Sequence, residues 1–519
     1  MRFRITLLVA AMSGFIALSY EILWYRAFSF VSWSHPTAFG LLLGAYLFGV
    51  AIGAAFSRRF CREAPGPEAL RPLAAFIFFA DLVGFLVVPA LSWLATWNWL
   101  PGLGLVAVSA GLMGAVLPLV AHYGIEPDDR AGANLSYVYL ANIIGSASGS
   151  FFTGFVLMDV WSTRGISVFL ALLGLAMVAF LLLASRPSPM QRAAGLGAAA
   201  AFAAVCALGT SPLFEGLYER LLFKQKAASF PPLAHVLENR HGVIVVSQYA
   251  RIYGGGAYDG AFNVSLVDDK NVIERAFAVS ALHPKPRDVL MIGLSSGSWA
   301  QVVSHLPGVE HLTIIEINPG YLELIKLYPA VKSLLENPKV DFVIDDGRRW
   351  LSRHPERKFD FIVMNTTYHW RAHSTNLLSE EYLRTVREHL NPGGVHYFNT
   401  TSSPEAQRTA ATVFPYAMRI INFIAASDSP LDFDRARWKR ALETMVIDGV
   451  PALDLGEPRQ KELLDRLLAL PDTLDEPYDY WGLERRDGIL ARTSGARIIT
   501  DDNMASETHP LFELLIYED

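Results

Sequence analysis

Seven apolar runs, each about as long as a bilayer is thick, fill the first 215 residues and leave this chain few choices of fold. They begin near Ile5, Thr37, Pro72, Leu100, Leu135, Gly165 and Ala193, and about 20 apolar residues are what a helix needs to cross hydrocarbon. The pattern predicts a polytopic helical bundle over residues 1–215. The first run carries Glu21 and Arg26 near its end, and no small-residue cleavage site follows, so it reads as a retained span and not as a signal peptide. The lipid bilayer is therefore the first expected partner.

Glycines recur at four-residue spacing in Gly40/Gly44, Gly49/Gly53 and Gly145/Gly149. That spacing lets helix backbones approach where lipid offers no hydrophobic drive. Glu21, Asp81 and Asn142 lie at or near membrane depth, where polar groups face the bundle interior. Two readings stand for them: a transport or lipid-substrate path, or hydrogen bonds between helices. No lysine precedes Lys224. Arg2, Arg4, Arg58, Arg59, Arg62, Arg71, Arg130, Arg186 and Arg192 fall on one side of a seven-span arrangement, against Arg26 and Arg164 on the other. By the positive-inside rule the N-terminus is cytoplasmic in a multi-pass inner-membrane protein, and seven spans put the remainder outside.

The remainder has a different composition. Charged residues make up only 18% of the 519, and they concentrate after about residue 215. A formal net charge of −6 gives no basic face, so nucleic acid is not an expected partner. Cys61 and Cys206 are the two cysteines; neither a disulfide framework nor a C-x-x-C site is available.

Residues 240–265 alternate apolar and polar between Gly-rich turns, which predicts a small antiparallel sheet, within a region of residues 216–285. A helix over 272–282 follows. From residue 286 to 519 strands and helices alternate: Val289–Ile292, Leu312–Ile315, a helix over 321–335, Val340–Val343, a helix over 348–353, Phe359–Met364, a helix over 380–390, a turn at Asn391–Gly394, and Val395–Asn399. Such alternation predicts a doubly wound α/β domain with a mostly parallel sheet. Ligands of these sheets bind at strand carboxyl ends. Those ends carry Gly293 to Ser298, Glu316, Asp345 with Asp346, Asn365 to Asn376, and Asn399 to Ser402. The first loop, GLSSGS, lies between a strand and a helix as nucleotide-binding loops do, though it lacks a full G-x-G-x-x-G. Glu316 closes the next strand, where a carboxylate can accept from both ribose hydroxyls.

On the segments GFIALSYEILWYRAFSF, YLANIIGSASGSFFTGFVL, HGVIVV, PRDVLMIGLSSGS, IIEINPGY, IDDGRRWL, NPGGV and ITDDNMASE, the chain resembles the membrane-embedded branch of the spermidine synthase (polyamine aminopropyltransferase) family. The resemblance implies that Gly293 and Gly297 face a nucleoside and its sulfonium portion. It implies that Glu316 holds the ribose, and that Asp345 or Asp346 with Gly347 lies at the adenine. S-adenosylmethionine or its decarboxylated form is the cofactor it implies. Three positions depart from the family. Ser295 or Ser296 stands where the family's loop has an amine-binding aspartate, Asn365 where it has the aspartate that takes the amine proton, and Val272 where it has a tyrosine. An amide cannot act as a general base.

In place of the acidic pocket, Asn365–Asn376 offers His369, Trp370, Arg371, His373 and Asn376. Imidazole, guanidinium and amide donors suit an anionic or carbonyl-bearing small-molecule acceptor, and His369 or His373 could serve as the base. Two histidines without a third ligand predict no metal. Asp501 and Asp502 are secondary candidates. Three functions remain open at this stage: an aminopropyl or other alkyl transferase with a non-standard acceptor, a catalytically inactive binding, transport or assembly module, and a methyltransferase.

Overall fold

The computed structural model describes residues 3–61, 70–365, 368–474 and 481–507. Arg2 and Arg62 of the orientation argument, and Thr366 and Thr367 of the strand-end loop, lie outside the described residues. Two compact units divide the chain, Met1–Val243 and Ile244–Asp519.

Among the described residues of the first unit, seven helices are long and apolar enough to cross a membrane: Phe3–Val31, Thr37–Phe60, Leu70–Ala95, Gly102–Gly124, Ala131–Val160, Thr163–Ala184 and Pro189–Ser229. Small residues decide which of them touch. A Cβ on Gly53 would lie 1.7 Å from the Gly111 carbonyl oxygen, and one on Gly49 would lie 2.2 Å from that of Ala107. Gly145 and Gly149 meet Ala11 and Phe15 in the same way, at 1.9 and 2.3 Å. The second span thus packs on the fourth, and the first on the fifth, at backbone contact. Gly40 and Gly44 differ from expectation: a Cβ at either meets nothing within 4 Å. Both are exposed, so this pair looks away from its neighbours and mediates no close approach.

Two of the intramembrane polar groups form hydrogen bonds between helices. Asp81, 2% exposed, accepts from the Tyr20 hydroxyl at 2.9 Å, and the Asn142 amide donates to the Ala10 carbonyl at 3.1 Å. Glu21 is half-buried. At the far end of the first span Arg26 pairs with Glu238 at 3.5 Å, and the same Glu238 oxygen accepts from the Thr163 backbone at 2.8 Å. One carboxylate therefore gathers the end of the first span, the start of the sixth and the segment leaving the seventh onto one face of the bundle.

In the second unit an antiparallel sheet comes first, from β1 (Gly242–Val246), β2 (Arg251–Gly254) and β3 (Ala257–Ala261). The helix expected over 272–282 is two short turns, Glu274–Phe277 and Val279–Leu282. Among the described residues the main sheet has eight strands: β4 (Asp288–Ile292), β5 (His311–Glu316), β6 (Val340–Ile344), β7 (Phe359–Met364), β8 (Leu390–Asn399), β9 (Tyr416–Ile420), β10 (Phe423–Ser427) and β11 (Leu483–Arg485). Between them run α1 (Ser298–His305), α2 (Gly320–Ile325), α3 (Gly347–Arg353), α4 (Glu380–Glu388) and α5 (Pro404–Val413). The helix expected over 321–335 breaks after α2. Pro329 forces Tyr328 out of the helical region, to φ −112° and ψ 111°, and a separate turn begins.

The strands lie in the order β11-β9-β10-β8-β7-β4-β5-β6. Strands β4 to β8 are parallel to their neighbours within that set, whereas the β9/β10 hairpin and β11 join antiparallel. Asn391–Gly394 forms no separate turn; it lies inside β8, where the register against β7 shifts between Phe359 and Phe361. One face of the sheet buries Leu290, Ile292, Ile362 and Phe398 in a cluster with Tyr382, Leu383 and Val386 of α4 and Ala406 and Ala410 of α5. On the other, Trp299 of α1 stacks on Phe423 at 4.9 Å. Chain order reverses between β4 and β7, so the crevice beyond their carboxyl ends is where a ligand fits.

Backbone contact at Gly53 predicts that Gly53→Val lowers the melting temperature of the detergent-solubilised chain steeply or prevents recovery of monodisperse protein, because even one methyl overlaps Gly111. Gly40→Ala, which enters open space, leaves both measurements unchanged.

Candidate functional site

Four loops converge at the switch point, and a buried carboxylate fastens two of them. Glu316, last residue of β5 and 6% exposed, accepts from the Leu294 backbone N–H at 2.7 Å and the Asn318 N–H at 2.8 Å. Burial pushes its carboxyl up to about 7; backbone N–H groups of Asn318, Leu294 and Ser295 oppose the shift and nearby Asp259 adds to it. A carboxylate offers about four lone-pair sites, so the backbone leaves acceptor capacity for a hydroxyl donor.

The loop after β4 is strained where a ligand would approach. Gly293 has φ +86° and Ser295 φ +50°, the latter an uncommon setting for a residue with a side chain. A Cβ on Gly293 would meet nothing within 4 Å, so this glycine faces open space. Gly297 is different: a Cβ there would strike Ile325 at 2.8 Å, which makes it the glycine that lets α2 pack behind the loop. Neither serine stands in for a lost carboxylate. Ser295 Oγ donates to the Asp259 carbonyl at 2.5 Å, and Ser296 Oγ to Ser298 Oγ at 3.0 Å, whose own hydroxyl donates to the Ala261 carbonyl at 2.7 Å. Both hydroxyls thereby turn toward β3.

Strand β3 brings the carboxylate that sequence reasoning missed. Asp259 hydrogen-bonds the Tyr321 hydroxyl, and its carboxyl is raised by burial while the Arg371 charge and the tyrosine pull it down. Arg371, from the loop after β7, also donates to the Gly254 carbonyl at 2.7 Å. The guanidinium is thus already engaged with the small sheet, using part of its five donors. Only the folding of β2 and β3 over the main sheet assembles Asp259, Ser295, Tyr321 and Arg371. No spacing in the sequence announces it.

At the end of β6 the two aspartates are engaged by α3. Asp345 pairs with Arg349, the first cause holding its carboxyl below the usual range, and with Arg353 at 3.8 Å. Asp346 caps α3, accepting from the Arg349 N–H at 2.7 Å. A Cβ on Gly347 would meet Ile292 at 2.6 Å, so that glycine seats α3 against β4.

The amide at 365 is held in one orientation. Arg275, which can only donate, gives its Nη1 proton to Asn422 Oδ1 at 2.7 Å. Asn422 Nδ2 must then be the donor to Asn399 Oδ1, at 3.1 Å, and the Thr401 backbone N–H, another obligate donor, confirms that oxygen at 2.8 Å. Asn399 Nδ2 in turn donates to Asn365 Oδ1 at 3.1 Å. Two obligate donors fix the direction of the whole ladder, and among the described residues it ends on the Nδ2 of Asn365.

The loop that follows is tied down from three sides. His369 donates its backbone N–H to Thr401 Oγ1 at 3.0 Å and is half-buried; Tyr368 stacks on Trp370 at 5.1 Å. His373 is exposed, with φ +67°, and caps the turn Ser374–Leu377. From the tail, Glu507 accepts from the Thr375 N–H and hydroxyl at 3.0 and 2.6 Å. Asp501 takes both Nη atoms of Arg348 at 2.7 and 2.5 Å, and Arg348 reaches the Asn376 carbonyl at 3.0 Å. Asp501 is consequently a clasp for the loop, and Asp502 is exposed. Among the described residues no group of three or more metal-ligating side chains occurs.

Cutting the ladder at its middle leaves the Asn422 and Thr401 donors without an acceptor and the Asn365 oxygen without a donor, at about 1–3 kcal/mol per buried group. Asn399→Ala is expected to lower hydrogen-exchange protection at Thr400 and Thr401 about tenfold or more. Unchanged protection would mean the ladder carries no stability.

Residues 276–425 match the family model described as "Spermine/spermidine synthase domain". The polyamine aminopropyltransferase of Desulforudis audaxviator is 30% identical over 168 residues, 31% of this chain and 60% of that protein. That of Mycobacterium tuberculosis is 26% identical over 347 residues, 64% of this chain and 62% of that protein. The chain therefore spans about three fifths of the length of these relatives. A spermidine synthase solved in complex with the transition-state analogue AdoDATO aligns at TM-score 0.33 and 18% identity, over 47% of this chain and 85% of that one. Behind its seven apolar helices, this chain carries a spermine/spermidine synthase domain in its C-terminal region.

Proposed function

We propose that the second unit is a membrane-tethered transferase that binds an S-adenosylmethionine-type nucleoside and moves its aminopropyl or another alkyl group to a small acceptor other than the usual polyamine. The observation that carries this reading is a contrast within one crevice. Gly293 faces open space and Glu316 keeps acceptor capacity beyond its backbone donors, while the family's proton-accepting acid is replaced by Asn365, whose oxygen is taken by Asn399.

A sulfonium nucleoside supplies an electrophilic carbon and a thioether leaving group. Glu316 would accept from the ribose hydroxyls, and the open side of Gly293 leaves room for the nucleoside. With Asp345 held by Arg349, its carboxylate is less available to the adenine than the resemblance implies. Asn365 presents N–H groups, which complement a lone pair or a negative oxygen on the acceptor and repel no proton-poor nucleophile. The acceptor proton falls to another group, and His369, whose backbone is anchored to Thr401 beside the ladder, is better placed for it than the exposed His373. Arg371 adds a positive charge near Asp259 and favours an acceptor bearing an anionic or carbonyl group.

A second reading, a domain that binds without turnover, draws support from the same loss of an acid. The arginine bias supports a cytoplasmic N-terminus and, with seven spans, an outside second unit, which a cytosolic nucleoside would not reach. A phosphatase fusion at the C-terminus, active only outside, tests that placement; an inactive fusion with a fluorescent green-protein counterpart would put the unit inside.

Calorimetry of the full chain with S-adenosylmethionine and its decarboxylated form is expected to show binding that Glu316→Gln weakens at least about tenfold, or 1.4 kcal/mol. Because the Glu316 carboxyl titrates near 7, it is protonated below that pH and gains acceptor strength above it. Affinity should rise as pH passes through 7 in the parent and stay flat in the variant. No binding of either nucleoside to folded protein ends the proposal. Separately, Asn365→Asp retains an oxygen for Asn399, so the variant should fold as the parent does and gain transfer to amine acceptors; an inert, folded variant would locate the missing chemistry elsewhere.

A further inference from the structure

The loop that leads into Glu274 and the helix α6 (Pro458–Leu468) enclose a cavity of about 380 Å³ that none of the strand-end residues lines. That is room for a small molecule rather than for one or two waters. Its floor and walls are Leu266, Leu463, Leu467 and Trp481, and its polar groups are Asp269, Glu274 and Arg466.

Glu274 is the feature that asks for a ligand. It is 9% exposed, and among the described residues its Oε2 receives no hydrogen bond from a donor group; the side chain it meets is the Asp269 carboxyl. Buried polar atoms in folded proteins are almost always paired, and two carboxyls set against each other must share a proton or take a donor from outside. Asp269 stands beside it at the exposed lip. One Asp269 oxygen already accepts from the Asn271 and Ile273 N–H groups at 3.0 and 3.1 Å, which keeps the carboxylate fixed in place. Two carboxyls at one end of a cavity whose remaining walls are leucine and tryptophan describe a receptor for a cation with an apolar body.

Among the described residues the cavity's one basic group limits the choice. Arg466 lines it and is exposed, so a second positive charge on the ligand would meet a guanidinium. We propose that this cavity binds a small organic monoammonium ion, with its N–H groups on Glu274 and Asp269 and its hydrocarbon body against Leu463, Leu467 and Trp481. Diamines and longer polyamines are disfavoured by Arg466, which separates this site from any polyamine position of the strand-end crevice. The proposal does not depend on the transferase reading.

Glu274 has an electrostatic signature that supplies a second readout. Burial first, then Asp269, raises its carboxyl to about 8, with the adjacent Arg275 opposing. Near neutral pH the empty cavity holds the protonated acid, and a cation entering it must displace that proton. Among the described residues, the charged groups around Glu274 are Asp269 and Arg275 on its own segment and Arg466 on α6.

Equilibrium dialysis of the full detergent-solubilised chain against phenethylammonium, with phenethyl alcohol and 1,4-diaminobutane as comparisons, tests the proposal. Saturable binding of the monoamine is expected, with at least tenfold weaker binding of the alcohol and the diamine. Glu274→Gln keeps the shape and removes the charge, and Leu463→Phe fills the cavity without touching a carboxyl. Each should weaken the amine at least tenfold. Calorimetry at pH 7 in buffers of different ionisation heat should show a proton released on binding in the parent and none in Glu274→Gln. Absence of saturable monoamine binding to the parent, equal binding of the alcohol, or binding that survives both variants with the fold intact, overturns it.

Discussion

Glu316 does what a metal or a bound ion does in other crevices: it gathers loops that would otherwise diverge. Its two oxygens hold the backbone after β4 and after β5, and the Asp345 N–H reaches the Glu316 carbonyl at 3.2 Å, so three strand ends share one residue. The arrangement costs the protein a buried charge, which is why burial drives the carboxyl upward. The same residue that organises the crevice is also the one with acceptor capacity to spare. Fold and binding are here served by different lone pairs of a single carboxylate.

The parallel part of the fold was legible because its signals are local. Buried strands such as Asp288–Ile292 read as unbroken apolar runs, and Gly293 to Gly297 punctuate the turn into α1. What escaped was the antiparallel edge, β9 to β11, where Tyr416–Ile420 and Phe423–Ser427 lie only two residues apart around Ile421, at φ +59°, an isoleucine that no turn rule would choose. Pro329 could have been read as the break in the helix over 321–335, since a proline excludes the residue before it from helical geometry.

In the crevice, position was readable and partnership was not. Gly293, Glu316, Asn365 and His369 all lie at strand carboxyl ends as their places in the sequence imply. Asp345 and Asp346 do too, yet Arg349, four and three residues on, occupies one by its side chain and the other by its backbone. Asp259 lay some thirty residues before the first crevice loop, in a strand whose alternation suggested only a sheet. Similarly, equal four-residue spacing of glycines could not reveal that Gly49/Gly53 meets a helix while Gly40/Gly44 meets none, because spacing fixes a shared face and not what that face looks upon.

The amide ladder from Arg275 to Asn365 has a further consequence, for heredity rather than chemistry. Asn399 asks only that residue 365 offer an oxygen, and aspartate and asparagine offer it equally. The two residues differ by a single nucleotide in their codons. Selection on folding is therefore nearly blind to which one stands there, and only selection on the reaction can keep it. A scaffold built this way lets a lineage lose or regain an acid without first crossing a valley of unstable intermediates.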